Sequence, residues 1–240
     1  MRQRDSPFVS LVRRDGLGGC PAALCIGGRM TKRSDMLRVV SSEELDCALA
    51  TGFSAPIEPL SGVPVACADV RGLAAAAHEQ GMASACDLSL VGMACAAVRL
   101  GVDLAFAPAA TADEALVWVA RGEQGVVDAA RGLLSTGREA GDTVLAMLEQ
   151  RARTWRASSD AAQVVASYLV CHPHVERVAY PGLRSDPSYE IASRTLENGF
   201  GPLIDLRLVG EDSWRRITCT PDDPLAQVTQ LEQRLRERLA

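Results

Sequence analysis

The pattern that most constrains this chain is an alternation of helical and strand signals along residues 41–108. The segment SSEELDCALATG opens with a capping box, Ser41 and Glu44, which predicts a short helix. Asp69 is a suitable N-cap for a second helix, VRGLAAAAHEQ, and a further helix is predicted in VGMACAAVRLG. The apolar segments MASACDLS and VDLAFAP predict strands. This alternation is typical of an α/β domain with a parallel-type sheet, whose functional groups are expected at the carboxyl ends of the strands.

The second half of the chain follows a different pattern. Helical periodicity in DTVLAMLEQRARTW and DAAQVVASYLVCH gives way to strand-like alternation in PLIDLRLV and RRITCT, and a final helix is predicted in PLAQVTQLEQRLRERL. We therefore predict a larger α/β domain over residues 1–145 and a smaller α+β domain over residues 146–240. Residues 1–40 show no clear pattern, and their glycines match no phosphate-binding loop.

Charge and composition narrow the classes of function. A net charge of −5 and a pI near 5.3, with no basic stripe, argue against nucleic acid or an anionic membrane as the partner. Eight cysteines lie singly along the chain without a CxxC pair, which favours reduced thiols and a cytoplasmic location. The segment HPH at residues 172–174 lacks a third ligand at suitable spacing, so no metal site is predicted.

Two long segments carry a family resemblance. The segment CHPHVERVAYPGLRSDPSYEIASRTLENGFGPLIDLRL closely resembles the signature HPxVxxVxYPGLxSHPxHxxA and GFGGMxSFxL of the Cys/Met-metabolism, or trans-sulfuration, enzymes that use pyridoxal phosphate (PLP). The segment ADVRGLAAAAHEQGMASACDLS is similar to the family's VxDIxxIAxxAHxxGxxxxVDNT. The similarity covers residues 41–240 and implies a partial aspartate-aminotransferase-like fold, PLP fold type I, of the cystathionine γ-synthase kind.

The resemblance assigns three candidate site residues. Asp87 stands where the family's aspartate pairs with the pyridinium nitrogen of PLP, and with Ser89 it forms the predicted cofactor-binding set. The alternative for Asp87 is a helix-capping carboxylate at a strand end. Arg216 in RRITCT stands where the family's VRLSVG supplies an arginine that grips a substrate carboxylate, with Arg215 or a solvated strand-end arginine as alternatives.

The residue that the family uses as its Schiff-base lysine, in HSATKY, has no counterpart here. That position falls on Thr111, and the neighbouring phosphate-binding serine falls on Pro108. A hydroxyl cannot form an imine, and proline has no N–H for a phosphate. Thr111 and Glu114 instead predict a capping box for a helix over ADEALVWVARG. Lys32 is the only lysine of the chain, lies in a polar run, and is predicted to be solvated.

These departures predict a catalytically degenerate relative of the trans-sulfuration enzymes with no catalytic residue. Ile26 and Gly62 also replace a ring-stacking tyrosine and an asparagine of the family's cofactor site. We expect PLP to be held without a covalent bond or not at all, and the chain to act as a non-catalytic subunit or modulator. The expected assembly is a homodimer or a hetero-oligomer with an intact paralogue. The alternative is a residual PLP-dependent lyase or transferase of cysteine and methionine metabolism.

Overall fold

The computed structural model describes residues 37–51, 53–120 and 127–239, which form two main sheets, a small hairpin and six α-helices. The strands are β1 (Leu37–Ser41), β2 (Leu60–Ser61), β3 (Ala66–Cys67), β4 (Ala85–Asp87), β5 (Leu104–Pro108), β6 (Glu114–Val119), β7 (Arg138–Glu139), β8 (Val175–Ala179), β9 (Leu203–Leu208) and β10 (Arg215–Thr218). The helices are α1 (Ser42–Leu49), α2 (Val70–Glu79), α3 (Val127–Thr136), α4 (Asp142–Val170), α5 (Tyr189–Thr195) and α6 (Pro224–Leu239).

The larger sheet is mixed and has the strand order β4-β5-β6-β1-β7. Strands β4 and β5 run parallel, and parallel bridges at Phe53 and Ile57 add a further segment beside β4. Strands β6, β1 and β7 continue the sheet in antiparallel pairing. The α/β class predicted from the alternation is confirmed, and its parallel part lies where helix and strand signals alternate.

The predicted caps of the first two helices are present. The Ser41 hydroxyl accepts from the Glu44 N–H at 3.2 Å and the Glu44 carboxylate accepts from the Ser41 N–H at 3.1 Å, which completes the capping box of α1. The Asp69 carboxylate accepts from the Gly72 N–H at 3.2 Å and caps α2. The predicted end of the first helix, Gly52, lies outside the described residues.

A single helix of 29 residues, α4, replaces the two helical segments read from the sequence. It crosses residue 145, so the division into domains 1–145 and 146–240 stays a prediction. Its second half packs Ala162, Val165 and Leu169 against Ile204 and Leu206 of β9 in a buried apolar cluster. The smaller sheet, in the order β10-β9-β8, is wholly antiparallel.

Two predicted helices are wrong. The segment VGMACAAVRLG forms two short 3-10 helices, Gly92–Ala94 and Ala97–Leu100, because Cys95 between them is extended and bridges Leu196. The segment after Thr111 forms strand β6 instead of a helix. Its side chains ALVWV are rich in β-branched and aromatic residues and become buried between β5 and β1, and this sheet environment outweighs the local capping signal.

None of the helices in the described ranges is long and apolar enough to cross a membrane.

Candidate functional site

Asp87 ends strand β4, and its carboxylate holds the turn that follows. Its main chain pairs with Phe106 of β5 and donates to the Ile57 carbonyl at 2.9 Å. The Asp87 Oδ1 atom accepts the N–H of exposed Ser89 at 2.7 Å. The two predicted cofactor residues are therefore joined by a hydrogen bond, and their role towards a cofactor stays a prediction. The observed contact caps a turn, which is a local role close to the capping alternative.

The segment that would carry the family's lysine is the tight turn of the β5–β6 hairpin. Thr111 is exposed, and its hydroxyl lies 3.2 Å from Glu114 Oε2, to which it donates. The turn is closed by the Ala109 N–H, which donates to the Glu114 carbonyl at 3.0 Å, and by the Glu114 N–H, which donates to the Thr111 carbonyl at 3.3 Å. These three bonds close the turn within the hairpin itself.

Two arginines hold this hairpin turn from outside. The Arg138 guanidinium binds Glu114 at 2.8 and 3.0 Å, and this hydrogen bonding lowers the pKa of the Glu114 carboxyl below its ordinary value. Arg151 of α4 donates to the carbonyls of Pro108 and Ala109 at 2.7 and 3.4 Å. The end of β5 is thereby fixed by contacts within the chain.

Arg216 lies in the smaller sheet and is held by Asp205, the residue opposite it on β9. Arg216 Nε donates to Asp205 Oδ1 at 3.0 Å and Nη2 donates to Oδ2 at 2.7 Å, which makes a bidentate ion pair. The Asp205 side chain is fully buried, whereas 34% of the Arg216 side chain is exposed. The hydrogen bond to Asp205 raises the pKa of Arg216. Arg216 is thus exposed in part and paired with a carboxylate, its role towards a substrate stays a prediction, and the neighbouring Arg215 pairs with Glu211.

The loop between β2 and β3 is attached to this ion pair. Gly62 adopts a φ of 81°, a conformation that favours glycine, and its carbonyl accepts a hydrogen bond from Arg216 Nη2. The Val65 N–H donates to Asp205 Oδ2 at 2.5 Å. Gly62, which stands where the family has an asparagine, thus presents its backbone carbonyl to Arg216.

The described residues do not fit a covalently held PLP. They contain no lysine, since Lys32 lies outside the described residues together with Ile26. Pro108 offers no N–H, and the Thr111 hydroxyl is bonded to Glu114. Asp87 has a half-buried carboxylate at a strand end, and its pairing with a ring nitrogen stays a prediction.

Asp205 is a residue that the sequence analysis missed. It stands at the serine of the family pattern GFGGMxSFxL, and an acidic residue in the middle of the apolar strand LIDLRL was a usable signal. A buried carboxylate requires a cationic partner, and Arg216 was the arginine already singled out. The contact could have been inferred from the antiparallel pairing of the two strands, had their register been known.

A separate polar cluster joins α4 to α6 beside a cavity of about 490 Å³. His172 Nε2 lies 2.8 Å from Glu232 Oε1, and the Tyr168 hydroxyl also donates to Glu232. The His174 N–H donates to His172 Nδ1 at 3.2 Å, so the two histidines of HPH contact each other. Within the described residues, no group of three or more His, Cys, Asp or Glu side chains is arranged to hold a metal ion.

Comparison with known proteins identifies the C-terminal part of the chain. Residues 146–220 match the sequence model of the Cys/Met metabolism PLP-dependent enzymes. The chain is 46% identical over 50 residues to cystathionine gamma-synthase of Mycobacterium tuberculosis, a match that covers 21% of this chain and 13% of that protein. The matched segment is thus a small part of the curated relative.

Solved structures are similar over a larger share of the chain. A Campylobacter jejuni structure described as an O-acetylhomoserine (thiol)-lyase, which carries N′-pyridoxyl-lysine-5′-monophosphate, aligns with a TM-score of 0.59 and 15% identity over 75% of this chain and 63% of that one. Cystathionine gamma synthase of Xanthomonas oryzae aligns with a TM-score of 0.51 and 25% identity over 71% of this chain and 47% of that one. The chain thus spans less than two thirds of these structures and shares their PLP fold type I.

Proposed function

We propose that this chain, whose residues 146–220 match the Cys/Met metabolism PLP-dependent enzymes, is a non-catalytic member of that family. It has lost covalent cofactor chemistry and acts as a subunit or modulator of an intact relative. PLP chemistry in this family depends on the cofactor as an electron sink, and this chain retains at most a non-covalent contact through Asp87.

One observation supports this proposal above the others. Thr111 stands at the position of the family's lysine, in a closed hairpin turn. Its hydroxyl donates to the Glu114 carboxylate. A threonine hydroxyl cannot form an imine with an aldehyde, and the nearby carbonyls of Pro108 and Ala109 are already bonded to Arg151. The end of β5 thus supplies no amine for an imine, and Pro108 supplies no N–H for a phosphate group.

The test is reductive trapping of added PLP. The purified full chain is mixed with PLP, the near-ultraviolet and visible absorbance is recorded, and borohydride is added before peptide mass spectrometry. We expect no internal-aldimine band and no stoichiometric pyridoxyl adduct. An adduct on Lys32 that is lost in Lys32→Ala would overturn the proposal. An intact family enzyme treated in parallel provides the positive control.

A second candidate function is a residual PLP-dependent lyase or transferase of cysteine and methionine metabolism. The observation in its favour is Asp87, which stands at the end of the parallel strand β4 with its carboxylate half-buried. This function requires an amine able to carry the cofactor, and Lys32 is the only lysine in the sequence. The same trapping experiment, followed by an assay for sulfide or ammonia release, separates the two functions.

We further propose that the chain assembles as a homodimer or as a hetero-oligomer with an intact paralogue. The family resemblance supports an assembly around the site region. Two exposed apolar side chains, Val63 and Leu90, follow the site residues Gly62 and Ser89 directly in the chain and suit contact with another subunit.

A further inference from the structure

We propose that Asp205 acts as a built-in occupant of the Arg216 guanidinium and closes it to carboxylate ligands. The inference rests on the proposed function and extends it from the cofactor to the substrate. The side-on edge of a guanidinium, Nε with one Nη atom, is a geometry in which arginine grips a carboxylate with two parallel hydrogen bonds. In this chain that edge is filled by the chain's own carboxylate, at 3.0 and 2.7 Å.

The remaining contacts make this arrangement difficult to displace. Asp205 is fully buried and accepts three hydrogen bonds, two from Arg216 and one from the Val65 N–H at 2.5 Å. Removing Arg216 from Asp205 would leave a buried carboxylate without its counter-charge, which is strongly unfavourable. The hydrogen bonds that an incoming carboxylate could form with Arg216 would not offset the free-energy cost of leaving Asp205 unpaired.

The exposed part of Arg216 does not provide a second site that could hold a carboxylate with two hydrogen bonds. Nη2 is shared between Asp205 and the Gly62 carbonyl, so this nitrogen is committed to the chain itself. A carboxylate approaching the same guanidinium would also lie close to the Asp205 charge in a partly buried setting, where like charges repel strongly. The Gly62 carbonyl adds a further partial negative charge on this side.

The same contacts tie the β2–β3 loop to the smaller sheet. Gly62 and Val65 both belong to this loop, and both bind the ion pair between β9 and β10. In the family pattern, the serine of GFGGMxSFxL stands at position 205 and could not balance an arginine charge. Asp205, standing where the family pattern has a serine, therefore pairs with Arg216. This ion pair links the smaller sheet to the β2–β3 loop.

The first test uses the unmodified full chain. Arginines are modified with phenylglyoxal at neutral pH, with and without acetate, and the rate at each arginine is followed by peptide mass spectrometry. Arg153, whose side chain is 65% exposed and whose guanidinium lies 3.8 Å from the exposed Glu149 carboxylate, serves as the internal reference. We expect Arg216 to react about tenfold more slowly than Arg153, as suits a guanidinium held by a carboxylate, and acetate to leave its rate unchanged. Specific protection of Arg216 by acetate would show an open site and overturn the inference.

The second test removes the occupant. In Asp205→Ser the Arg216 rate should rise about tenfold and acetate should now slow it, because a carboxylate can occupy the vacated edge. The isosteric Asp205→Asn, which keeps an acceptor for the Val65 N–H, should give the same direction of change. In the double variant Asp205→Ser/Arg216→Gln, acetate should bind no more tightly than to the unmodified chain. If Asp205→Ser is folded by circular dichroism and shows no change at Arg216, the inference is wrong.

The outcomes separate this inference from the proposed function. A trapped pyridoxyl adduct on Lys32 contradicts the non-catalytic proposal and leaves the state of Arg216 unaffected. Protection of Arg216 by acetate in the unmodified chain contradicts the occupant role of Asp205 and leaves the missing amine unaffected. If Asp205→Ser fails to fold, the experiment on the unmodified chain still decides the question.

Discussion

Asp205 places a full negative charge in a strand position without solvent access, and the neighbouring strand balances it with Arg216. Buried ion pairs of this kind contribute little net stability compared with apolar residues of the same volume, but breaking one by removing a single partner is costly. The pair therefore acts mainly through the geometry it imposes on the β2–β3 loop.

This asymmetry predicts the effects of substitutions on stability. Arg216→Gln should lower the free energy of unfolding by about 3 kcal/mol, since it strands the Asp205 carboxylate. Asp205→Ser/Arg216→Gln should recover most of that loss, because neither charge remains. Urea unfolding followed by circular dichroism measures both variants. Equal destabilisation by the single and the double variant would contradict the expectation.

The cysteines provide a second prediction at the residue scale. Burial raises the pKa of Cys67 to about 12 and that of Cys219 to about 11, and a hydrogen bond with the Cys95 thiol, together with burial, raises that of Cys86. Because the thiolate is the reactive form, these thiols should resist alkylation.

Iodoacetamide treatment of the native protein at pH 8 should therefore modify the exposed Cys47 and Cys171 and spare the buried Cys67, Cys86 and Cys219. Peptide mass spectrometry measures the extent at each site, and alkylation in guanidinium chloride serves as the control in which all of them react. Rapid native alkylation of Cys86 would show that the core around β4 opens.

Residue-scale reasoning from the sequence identified Asp87 and Arg216 but not the groups that satisfy them. Asp87 follows an apolar strand and Arg216 lies in a strand signal, so both were visible as single residues. Asp205 and Arg216 are 11 positions apart in the chain, and their contact depends on the register of β9 and β10. Register is a tertiary property that a single sequence defines poorly.

At the scale of elements, the β5–β6 hairpin determines what chemistry the end of β5 can support. Five antiparallel residue pairs along the two strands fix the turn at residues 109–113, and the Glu114–Arg138 pair holds it from the side. The hairpin turn is therefore held by its backbone pairing and by Arg138 and Arg151 from other elements.

Thr111→Lys is therefore expected not to restore an enzyme. The substitution removes an exposed hydrogen bond and should cost less than about 1 kcal/mol of stability. A lysine at this turn could form an imine with added PLP, but Pro108, Gly62 and Asp205 still depart from the family pattern. Release of sulfide or ammonia from cysteine or homocysteine measures the outcome, and detectable turnover would show that the amine alone was missing.

Helices α4 and α6 are joined by a polar cluster centred on Glu232, which gives a pH-dependent prediction. The Tyr168 hydroxyl, then His172 and Arg236, lower the pKa of the Glu232 carboxyl from its ordinary value of 4.5. A carboxyl whose pKa is lower in the folded state stabilises the fold above its unfolded pKa, and this contribution is lost as the pH falls through the folded pKa.

Thermal unfolding measured between pH 7 and pH 3, a range that spans the ordinary carboxyl pKa, should therefore show a smaller acid-induced fall in Tm for Glu232→Gln than for the unmodified chain. Glu237→Gln, an exposed position on the same helix, is the matched control and should behave like the unmodified chain. If both variants lose the same share of acid sensitivity, the effect comes from net charge and the cluster contributes nothing specific.

Some elements of this fold are determined by local sequence signals, and others by partners distant in the chain. The capping box of α1, the Asp69 N-cap of α2 and the helical periodicity of α4 and α6 are local signals, and the structure contains all four helices. Strand β6 and the 3-10 helices near Cys95 were predicted as helices, because their conformation is set by partners distant in the chain. Thr111 and Glu114 do contact each other as predicted, but in a hairpin turn.

At the scale of the whole molecule, the described part of the chain combines a mixed α/β sheet with a smaller antiparallel sheet, and this is the architecture that the family motifs predicted. The alternation of helix and strand signals was sufficient for the class. The reversal of strand direction at β6 was not predictable, because pattern alone does not give the direction of a strand.

The last prediction concerns the surface of the molecule, and we expect a second copy of this chain to cover the region of Val63 and Leu90. Val63 is 60% exposed and Leu90 is 43% exposed, and each follows a residue of the candidate site. Exposed apolar side chains beside a functional region favour a subunit contact, whereas isolated ones elsewhere are ordinary. Light scattering over a wide dilution range should give twice the chain mass of 25.5 kDa.

The substitution Val63→Asp/Leu90→Asp should shift the particle to the monomer, because a buried interface does not tolerate unpaired carboxylates. Leu225→Asp is the matched control, since Leu225 is 67% exposed on α6 and should leave the dimer intact. A chain that is monomeric alone but joins an intact paralogue on mixing would favour the hetero-oligomer. A chain that stays monomeric in both experiments would refute the proposed assembly, and with it the role of a subunit.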